Sequence, residues 1–433
     1  MRAKQYLIIG NCIAGINGAE SIRKVDDRGK VTIVSDEDYP AYGRCLISNY
    51  LAGTHKEEDL WLKGDDFYRK NGIAILLGKK AAAVKPDDSQ VVLNDGTKLK
   101  YDQLLIATGA SSAPLGIEGE DKYGVFGFRT LKDAKGILKL LPKTDRVLVL
   151  GGGLIGLKAA YALKKRGVDV EVIIKSSHVL SQVVDTDSAQ IVGRWLAENG
   201  LKIGTGLAPI KILGDKEVSG VLLDNGEKKE CRIVVIGKGV NSNKDIVKET
   251  KIKAHWGIFT NSYLQTNADN IYTAGDVAET RDLISGESVT AALWTSAAEQ
   301  GRIAGLNMAG EKRQYPGSIP ANSVDFFGLP IISMGHVRGK KEPAEVITRS
   351  RPDRYQYKKM FLRGNCLVGA VLIGNIDNAG VYLALIRRQA DISSVKDLLV
   401  EDRFDYAKVS HLLEQKSGFR ESISIKGELI RTF

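Results

Sequence analysis

The chain opens with an apolar run, Gln5–Ile9, that ends in a glycine-rich turn, Gly10-Asn-Cys-Ile-Ala-Gly15. This pattern predicts a strand, a helix near Ile16–Arg23, and a second strand at Val31–Val34 followed by the acidic pair Asp36-Glu37. The same order recurs further along: strand Arg146–Leu150, turn Gly151-Gly-Gly-Leu-Ile-Gly156, helix Leu157–Arg166, a turn at Gly167 and strand Asp169–Ile174. Strand, glycine turn, helix, strand is the order that aims the free N–H groups of a helix start at a phosphate. Two mononucleotide-binding units are therefore expected, not one.

Shorter apolar runs read as smaller sheets. Val91–Leu93 with Asn94-Asp-Gly96, and Val221–Leu223 with Asn225-Gly226, pair strands with turn residues that favour hairpins. Composition shifts near Tyr315-Pro316, where Pro, Gly and Ser cluster before Asp325-Phe-Phe-Gly328. Beyond it a strand at Cys366–Ile373 and helices at Ala379–Arg388 and Val395–Leu399 are expected, which marks a third domain.

At 433 residues the chain is too long for one ordinary core. The amino terminus leaves no room for a signal-peptide core, and no apolar run is long enough to span a membrane, so a cytoplasmic protein with no membrane partner is expected. The four cysteines, Cys12, Cys45, Cys231 and Cys366, match no disulfide framework, zinc site or iron–sulfur cluster; any iron–sulfur chemistry belongs to a partner. Cys231 and Cys366 sit in apolar strand contexts, as packed thiols do. His55, His255, His336 and His411 show no metal-ligand spacing. The net charge of +10 bears on association, not on fold. Much of it falls in Arg338–Arg363, where Lys340, Lys341, Arg349, Arg351, Arg354, Lys358, Lys359 and Arg363 have few acids between them. That stretch reads as a solvated hairpin or as a docking face for an acidic iron–sulfur protein, and nucleic acid is set aside.

In the first unit Gly10 permits the tight turn and Gly15 brings the helix close to the strand. Cys12 stands where a middle glycine is usual, and Asp36, with Glu37 as its rival, lies at the spacing at which a carboxylate meets ribose hydroxyls. Leu104-Leu-Ile-Ala-Thr108-Gly109-Ala110 is an apolar strand ending in small residues, suited to close passage over a dinucleotide. Thr266–Gly275-Asp276 is another strand, closed by a glycine and a carboxylate able to accept hydrogen bonds from a ribityl chain. Together these motifs resemble the FAD-dependent pyridine nucleotide–disulfide oxidoreductase superfamily over nearly the whole chain.

The resemblance implies an α/β fold with two Rossmann-like nucleotide-binding domains and a C-terminal α+β dimerisation domain. The FAD domain is split around the NAD domain: residues 1–112 and 244–313 bind FAD, 113–243 bind NAD(P), and 315–433 form the homodimer interface. Tyr42-Gly-Arg44-Cys45 and Leu293-Trp294-Thr-Ser-Ala-Ala-Glu-Gln300-Gly301-Arg302 look closest to the nitrite reductase, rubredoxin reductase and NADH oxidase branch. They also look like the FAD:NAD oxidoreductases linked to the ferredoxin of carbon monoxide dehydrogenase. By that likeness Arg44, Thr108, Arg129, Asp276 and Thr295 line FAD. Ala14, Gly109, Gly239, Gly275 and Trp294 join the dinucleotide sites, and Gly151, Gly153, Ile155, Gly156 and Lys175 fall to the second nucleotide.

Departures from the family pattern at four places bear on mechanism. Cys45 stands alone where the glutathione reductase type has a cysteine pair. It falls where the coenzyme A disulfide reductase and NADH oxidase branch carries one redox cysteine, so it reads as a packing residue beside flavin or as a nucleophile with a lowered pKa. A histidine of the peroxidase members is replaced by Ile13. Lys158 replaces a family glutamate; turned inward it favours negative charge on reduced flavin, and it equally fits a course to solvent. The strand end that should carry a ribose-binding acid reads Ile174-Lys175-Ser-Ser-His178, which leaves NAD(H) against NADP(H) open. The expected function is electron exchange between NAD(P)(H) and a ferredoxin- or rubredoxin-like protein through FAD. The alternatives are Cys45-dependent disulfide reduction or NADH oxidation, and a flavin-bearing binding or sensing protein.

Overall fold

The computed structural model of the chain describes residues 2–337 and 345–414. The strand Gln5–Ile9 leads through the first glycine turn into α1 (Ile13–Val25) and on to the strand Lys30–Val34. These join a five-stranded parallel sheet in the order Ile271–Thr273, Gln103–Ile106, Gln5–Ile9, Lys30–Val34, Ile73–Leu76. Its outermost strand comes from residues far beyond the second glycine unit. The expected strand over 266–275 is confined to Ile271–Thr273.

In the second unit α2 (Leu131–Leu140) precedes the strand Arg146–Leu150, which enters α3 (Leu154–Lys165) and returns as Asp169–Ile174, followed by α4 (Thr186–Glu198). Its parallel sheet runs Lys202–Thr205, Asp169–Ile174, Arg146–Leu150, Ile233–Ile236, Val125–Phe126. Both expected hairpins form, with Gly96 and Gly226 at positive φ in their turns.

Both glycine-turn helices begin three residues before the predicted start, at Ile13 and Leu154. The last fingerprint glycine lies inside the first helical turn because the helix must touch the turn it leaves. A Cβ on Gly15 would stand 1.9 Å from the Gly10 carbonyl oxygen, and one on Gly156 would stand 1.9 Å from that of Gly151. Helix α5 (Trp294–Ala309) then crosses α1 at backbone contact. Cβ atoms on Gly301 and Gly305 would meet the carbonyl oxygens of Ala14 and Gly18 at 2.1 and 2.3 Å. Small residues four apart on both helices thus fix where the two helix starts sit.

The third region is an antiparallel sheet ordered Ala321–Phe326, Leu329–Gly335, Cys366–Ile373, Gln356–Arg363, Glu345–Arg351. One face, with Tyr357, Phe361, Val371 and Ile373, shares the core of the second unit, and the other is covered by α6 (Ala379–Arg388) and residues 392–413. Docking to α4 is specific: Trp195 Nε1 donates to the Phe326 carbonyl at 2.8 Å, and Tyr357 Oη donates to Asp185 at 3.0 Å. The helix expected at Val395–Leu399 is a single 3-10 turn, Lys396–Leu398. Its apolar residues pack within a covering strap and lack the length for an amphipathic face.

The basic stretch forms the expected hairpin, and acids from elsewhere in the chain pair with several of its cations. Arg349 pairs with Glu401 at 2.7 Å and Asp402 at 3.3 Å, Arg351 with Asp402 at 3.0 Å, and Lys359 with Asp185 at 3.4 Å, while Lys358 is buried. Arg338, Lys340 and Lys341 lie outside the described residues.

A second tie crosses from the third region to the first. His336 Nε2 lies 3.1 Å from Asp282 Oδ1, and the buried carboxylate also accepts from the Ile284 and Ser285 amides at 2.9 and 2.7 Å. Burial opposes ionisation, but these hydrogen bonds outweigh it and hold Asp282 below the ordinary carboxyl value of 3.8. A folded pKa below the unfolded one gives stability that is present above pH 3.8 and lost as pH falls through the folded value. Melting temperatures taken from pH 6 down to 3 should therefore drop less steeply for Asp282→Asn than for the unaltered chain.

Candidate functional site

A helix leaves its first N–H groups without backbone partners, and a side chain or a ligand must meet them. Helices α2 and α4 meet the need internally, through a Thr130–Asp133 capping box and through Asp185. Helices α1, α3 and α5 do not: their N-caps are Cys12, Gly153 and Leu293, none makes a side-chain cap bond, and no first turn holds an acid. These three starts, like that of α6, carry positive ends that no side chain caps, which suits a phosphate or another electron-rich group. Two of them, α1 and α3, lie at the carboxyl ends of parallel strands, where open α/β sheets bind ligands. Ala14 and Ile155 belong to these first turns, and the residues fit a bound dinucleotide at each.

Carboxylates at the first turn divide their roles. Glu37 accepts from Arg44 Nη2 at 2.6 Å and from Tyr42 Oη at 2.7 Å, so it is committed within the protein. Asp36 is exposed at the strand end. Arg44 also donates to the Arg129 carbonyl at 3.1 Å, and Tyr42 Oη accepts from the Leu131 amide at 3.1 Å, which ties the first unit to the start of α2. Arg129 in turn pairs with Asp276 and donates from Nε to the Ala110 carbonyl at 2.5 Å. Each side chain of that pair is 16% exposed.

The two crossings between the units are pinned by a residue that the sequence did not single out. Asn243 Nδ2 donates to the Thr108 carbonyl at 2.9 Å, Thr108 Oγ1 donates to the Asn243 carbonyl at 2.8 Å, and Ser111 Oγ donates to Asn243 Oδ1 at 2.7 Å. Gly109 and Gly239, at φ +67° and +111°, have open space where a Cβ would stand. Ser242 Oγ holds the Asp276 carbonyl at 2.7 Å. Tyr42 and Ser242 were likewise missed as site residues; their bonds to the Leu131 amide and the Asp276 carbonyl cross long stretches of chain.

Cys45 lies in a 3-10 turn (Arg44–Leu46) and is exposed. Of the two readings offered for Cys45, the direction of its pKa agrees with the packing residue. Crowding by protein atoms pushes the thiol above its ordinary 9.0, the charges of Cys12 and Asp276 add to this, and Lys158 and Arg129 pull back without cancelling it. These residues are therefore brought together around Cys45. Lys158 stands on the second turn of α3, its Nζ 3.5 Å from the Asp325 carbonyl and 5.4 and 5.9 Å from the Tyr161 and Phe326 rings. Desolvation lowers its pKa, while Asp325 and Cys45 oppose that shift. It thus bridges α3 to the turn that opens the third region.

At the second turn Lys175 is exposed, and its loop folds back against the glycines through the Leu180 amide, which donates to the Gly152 carbonyl at 2.8 Å. Gly151 and Gly275 take positive φ, and Trp294 and Thr295 open α5. Cys231 is buried, and Cys366 Sγ lies 3.3 Å from the Gln389 carbonyl. No described helix is long and apolar enough to cross a membrane.

Residues 4–301 match the family model for pyridine nucleotide-disulphide oxidoreductase, and residues 320–390 match that for the rubredoxin NAD+ reductase C-terminal domain. A nitrite reductase [NAD(P)H] of Bacillus subtilis is 31% identical over 402 residues, 92% of this chain and 49% of the relative, so the chain spans about half of that protein's length. An NADH oxidase of Methanocaldococcus jannaschii is 35% identical over 320 residues, 72% of this chain and 71% of the relative. The crystal structure of NADH:rubredoxin oxidoreductase from Clostridium acetobutylicum superposes with a TM-score of 0.75 at 25% identity, covering 90% of this chain and 97% of that one. The chain belongs to the pyridine nucleotide-disulphide oxidoreductase family, whose members are FAD-dependent NAD(P)H oxidoreductases.

Proposed function

We propose that this protein exchanges electrons between NAD(P)(H) and a small iron–sulfur protein of ferredoxin or rubredoxin type. The observation that carries the reading is the pair of uncapped glycine-turn helices on two parallel sheets, joined to a third region of the rubredoxin reductase type. FAD, when bound, supplies the conversion between a two-electron nicotinamide and single-electron acceptors. The start of α1 binds its pyrophosphate, Asp36 its ribose, and Asp276 with Arg129 the ribityl side. The start of α3 binds the nicotinamide nucleotide. Per turnover, NAD(P)H gives up two electrons and one proton, and each of two acceptors takes one electron.

The loop Lys175–His178 supports acceptance of a 2′-phosphate, because it offers a cation and no carboxylate. The partner is acidic, drawn by the chain's excess of positive charge. Pairing of two copies through the third region remains part of the proposal. Both faces of that sheet are covered within the chain, so a second copy would meet the outer side of α6 and the 392–413 strap.

The raised Cys45 thiol favours this reading over thiol chemistry, since a nucleophile needs its thiolate at neutral pH. The test is Cys45→Ser assayed with NADPH and either rubredoxin or coenzyme A disulfide. Rubredoxin turnover should stay within about threefold of the unaltered enzyme, less than 1 kcal/mol in barrier. Collapse of that turnover, or disulfide reduction in the unaltered enzyme that disappears in Cys45→Ser, would replace this reading with the thiol-dependent one.

A further inference from the structure

The Gly275–Asp276 turn is held from behind by a side chain that touches none of the groups discussed so far. The Gly275 amide donates to Gln300 Oε1 at 2.8 Å, and Gln300, on α5, is 1% exposed. A backbone N–H can only donate, so it fixes which end of the amide faces the turn. Gln300 Nε2 must then point the other way, where it meets Tyr315 Oη at 3.4 Å. Tyr315 Oη lies 3.0 Å from Ser318 Oγ, and Ser318 Oγ lies 3.1 Å from Thr280 Oγ1. Tyr315, Ser318 and Thr280 are 6%, 1% and 3% exposed.

The run has a direction and an anchor. With its oxygen accepting from Gln300, the Tyr315 phenol is free to donate onward to Ser318. Ser318 is itself fixed by backbone bonds, its amide donating to the Arg281 carbonyl at 2.9 Å and its carbonyl accepting from Leu283 at 2.9 Å. That anchor lies beside Asp282, which takes His336 of the third region. Gly275 is at φ +82°, and only this one side-chain bond holds its amide. The neighbouring Asp276 carboxylate depends on the turn for its aim.

We infer that Gln300, set by Tyr315 and Ser318, is the positioning residue for the Gly275–Asp276 turn, and so governs how tightly the chain retains FAD. This rests on the proposed function only in taking Asp276 as the group that faces FAD. Gln300 itself touches neither the flavin site's charged pair nor the second nucleotide site. The consequence is a division of roles in α5: its first turn faces the site, and its second turn, through Gln300, keeps the opposing turn in register.

The test measures the rate of FAD release from purified holoprotein, followed by the rise in free-flavin fluorescence, beside the melting temperature of the FAD-free chain. Gln300→Leu removes the acceptor and should speed release by about 10-fold or more, the worth of one buried hydrogen bond left unmade. Tyr315→Phe should speed it several-fold by freeing the amide. Gln300→Glu keeps an acceptor for Gly275, and Tyr315 can turn to donate to it, so retention should return close to that of the unaltered chain. Tyr382→Phe is the control for general loosening: its hydroxyl is equally buried and donates to the Leu399 carbonyl at 2.6 Å inside the third region, and FAD release should not change.

If Gln300→Leu releases FAD no faster than the unaltered chain, or Tyr382→Phe speeds release as much, the inference is wrong while the proposed function stands. If the unaltered chain takes up no FAD at all, both fail together.

Discussion

Gly156→Ala is expected to give a protein that still carries FAD yet is reduced by NAD(P)H at least about 100-fold more slowly, the scale of loss that accompanies a misplacement near 1 Å. The added Cβ would stand 1.9 Å from the Gly151 carbonyl oxygen and 3.0 Å from its carbon. Neither neighbour is a flexible side-chain end, so the first turn of α3 must move away from the strand Arg146–Leu150. The N–H groups offered to the second nucleotide move with it. The first sheet shares no strand with this turn, so the yellow cofactor should remain. Rapid mixing of the variant with NADPH checks the rate, and visible absorption checks the content. Loss of FAD along with the rate would mean that the two units do not bind separately, contrary to the assignment of one nucleotide to each.

Asp276→Ala should act in the opposite sense, stripping FAD from the chain. Two costs add. The ribityl chain loses a charged acceptor, worth about 1.5–3 kcal/mol, or about 10- to 100-fold in affinity. Arg129 is left as a cation in a largely enclosed site, and stranding one member of a buried pair costs about 3 kcal/mol in stability. Asp276→Asn separates the two, since the amide still accepts hydrogen bonds but no longer neutralises Arg129. Flavin content after gel filtration and melting temperature should both fall from the unaltered chain to Asp276→Asn, and fall again to Asp276→Ala. Equal flavin content in all three would remove Asp276 from the site.

What the sequence disclosed was local. A strand, a glycine turn and a helix are written within about twenty residues, and both units form where the pattern put them, because the two clashes that exclude a side chain at Gly15 and Gly156 arise within each turn. Hairpins at Gly96 and Gly226 are legible for the same reason. What stayed hidden depends on residues far apart in the chain. The Arg129–Asp276 pair joins residues 147 positions apart, and Asn243, at the end of the second unit, stitches Thr108 and Ser111. The hairpin of basic residues looked unopposed only because Glu401, Asp402 and Asp185 lie elsewhere in sequence. For Cys45 the sequence offered two readings, and the upward shift that desolvation gives its thiol agrees with the packing one.

The central claim is that two dinucleotides meet in this chain and exchange electrons. Anaerobic addition of NADPH, and separately of NADH, to the FAD-loaded protein tests it most directly. The visible flavin band is expected to bleach with about one equivalent of nucleotide, and NADPH is expected to serve at least as well as NADH. A protein that binds no FAD, or one whose flavin band neither nucleotide alters, would contradict it.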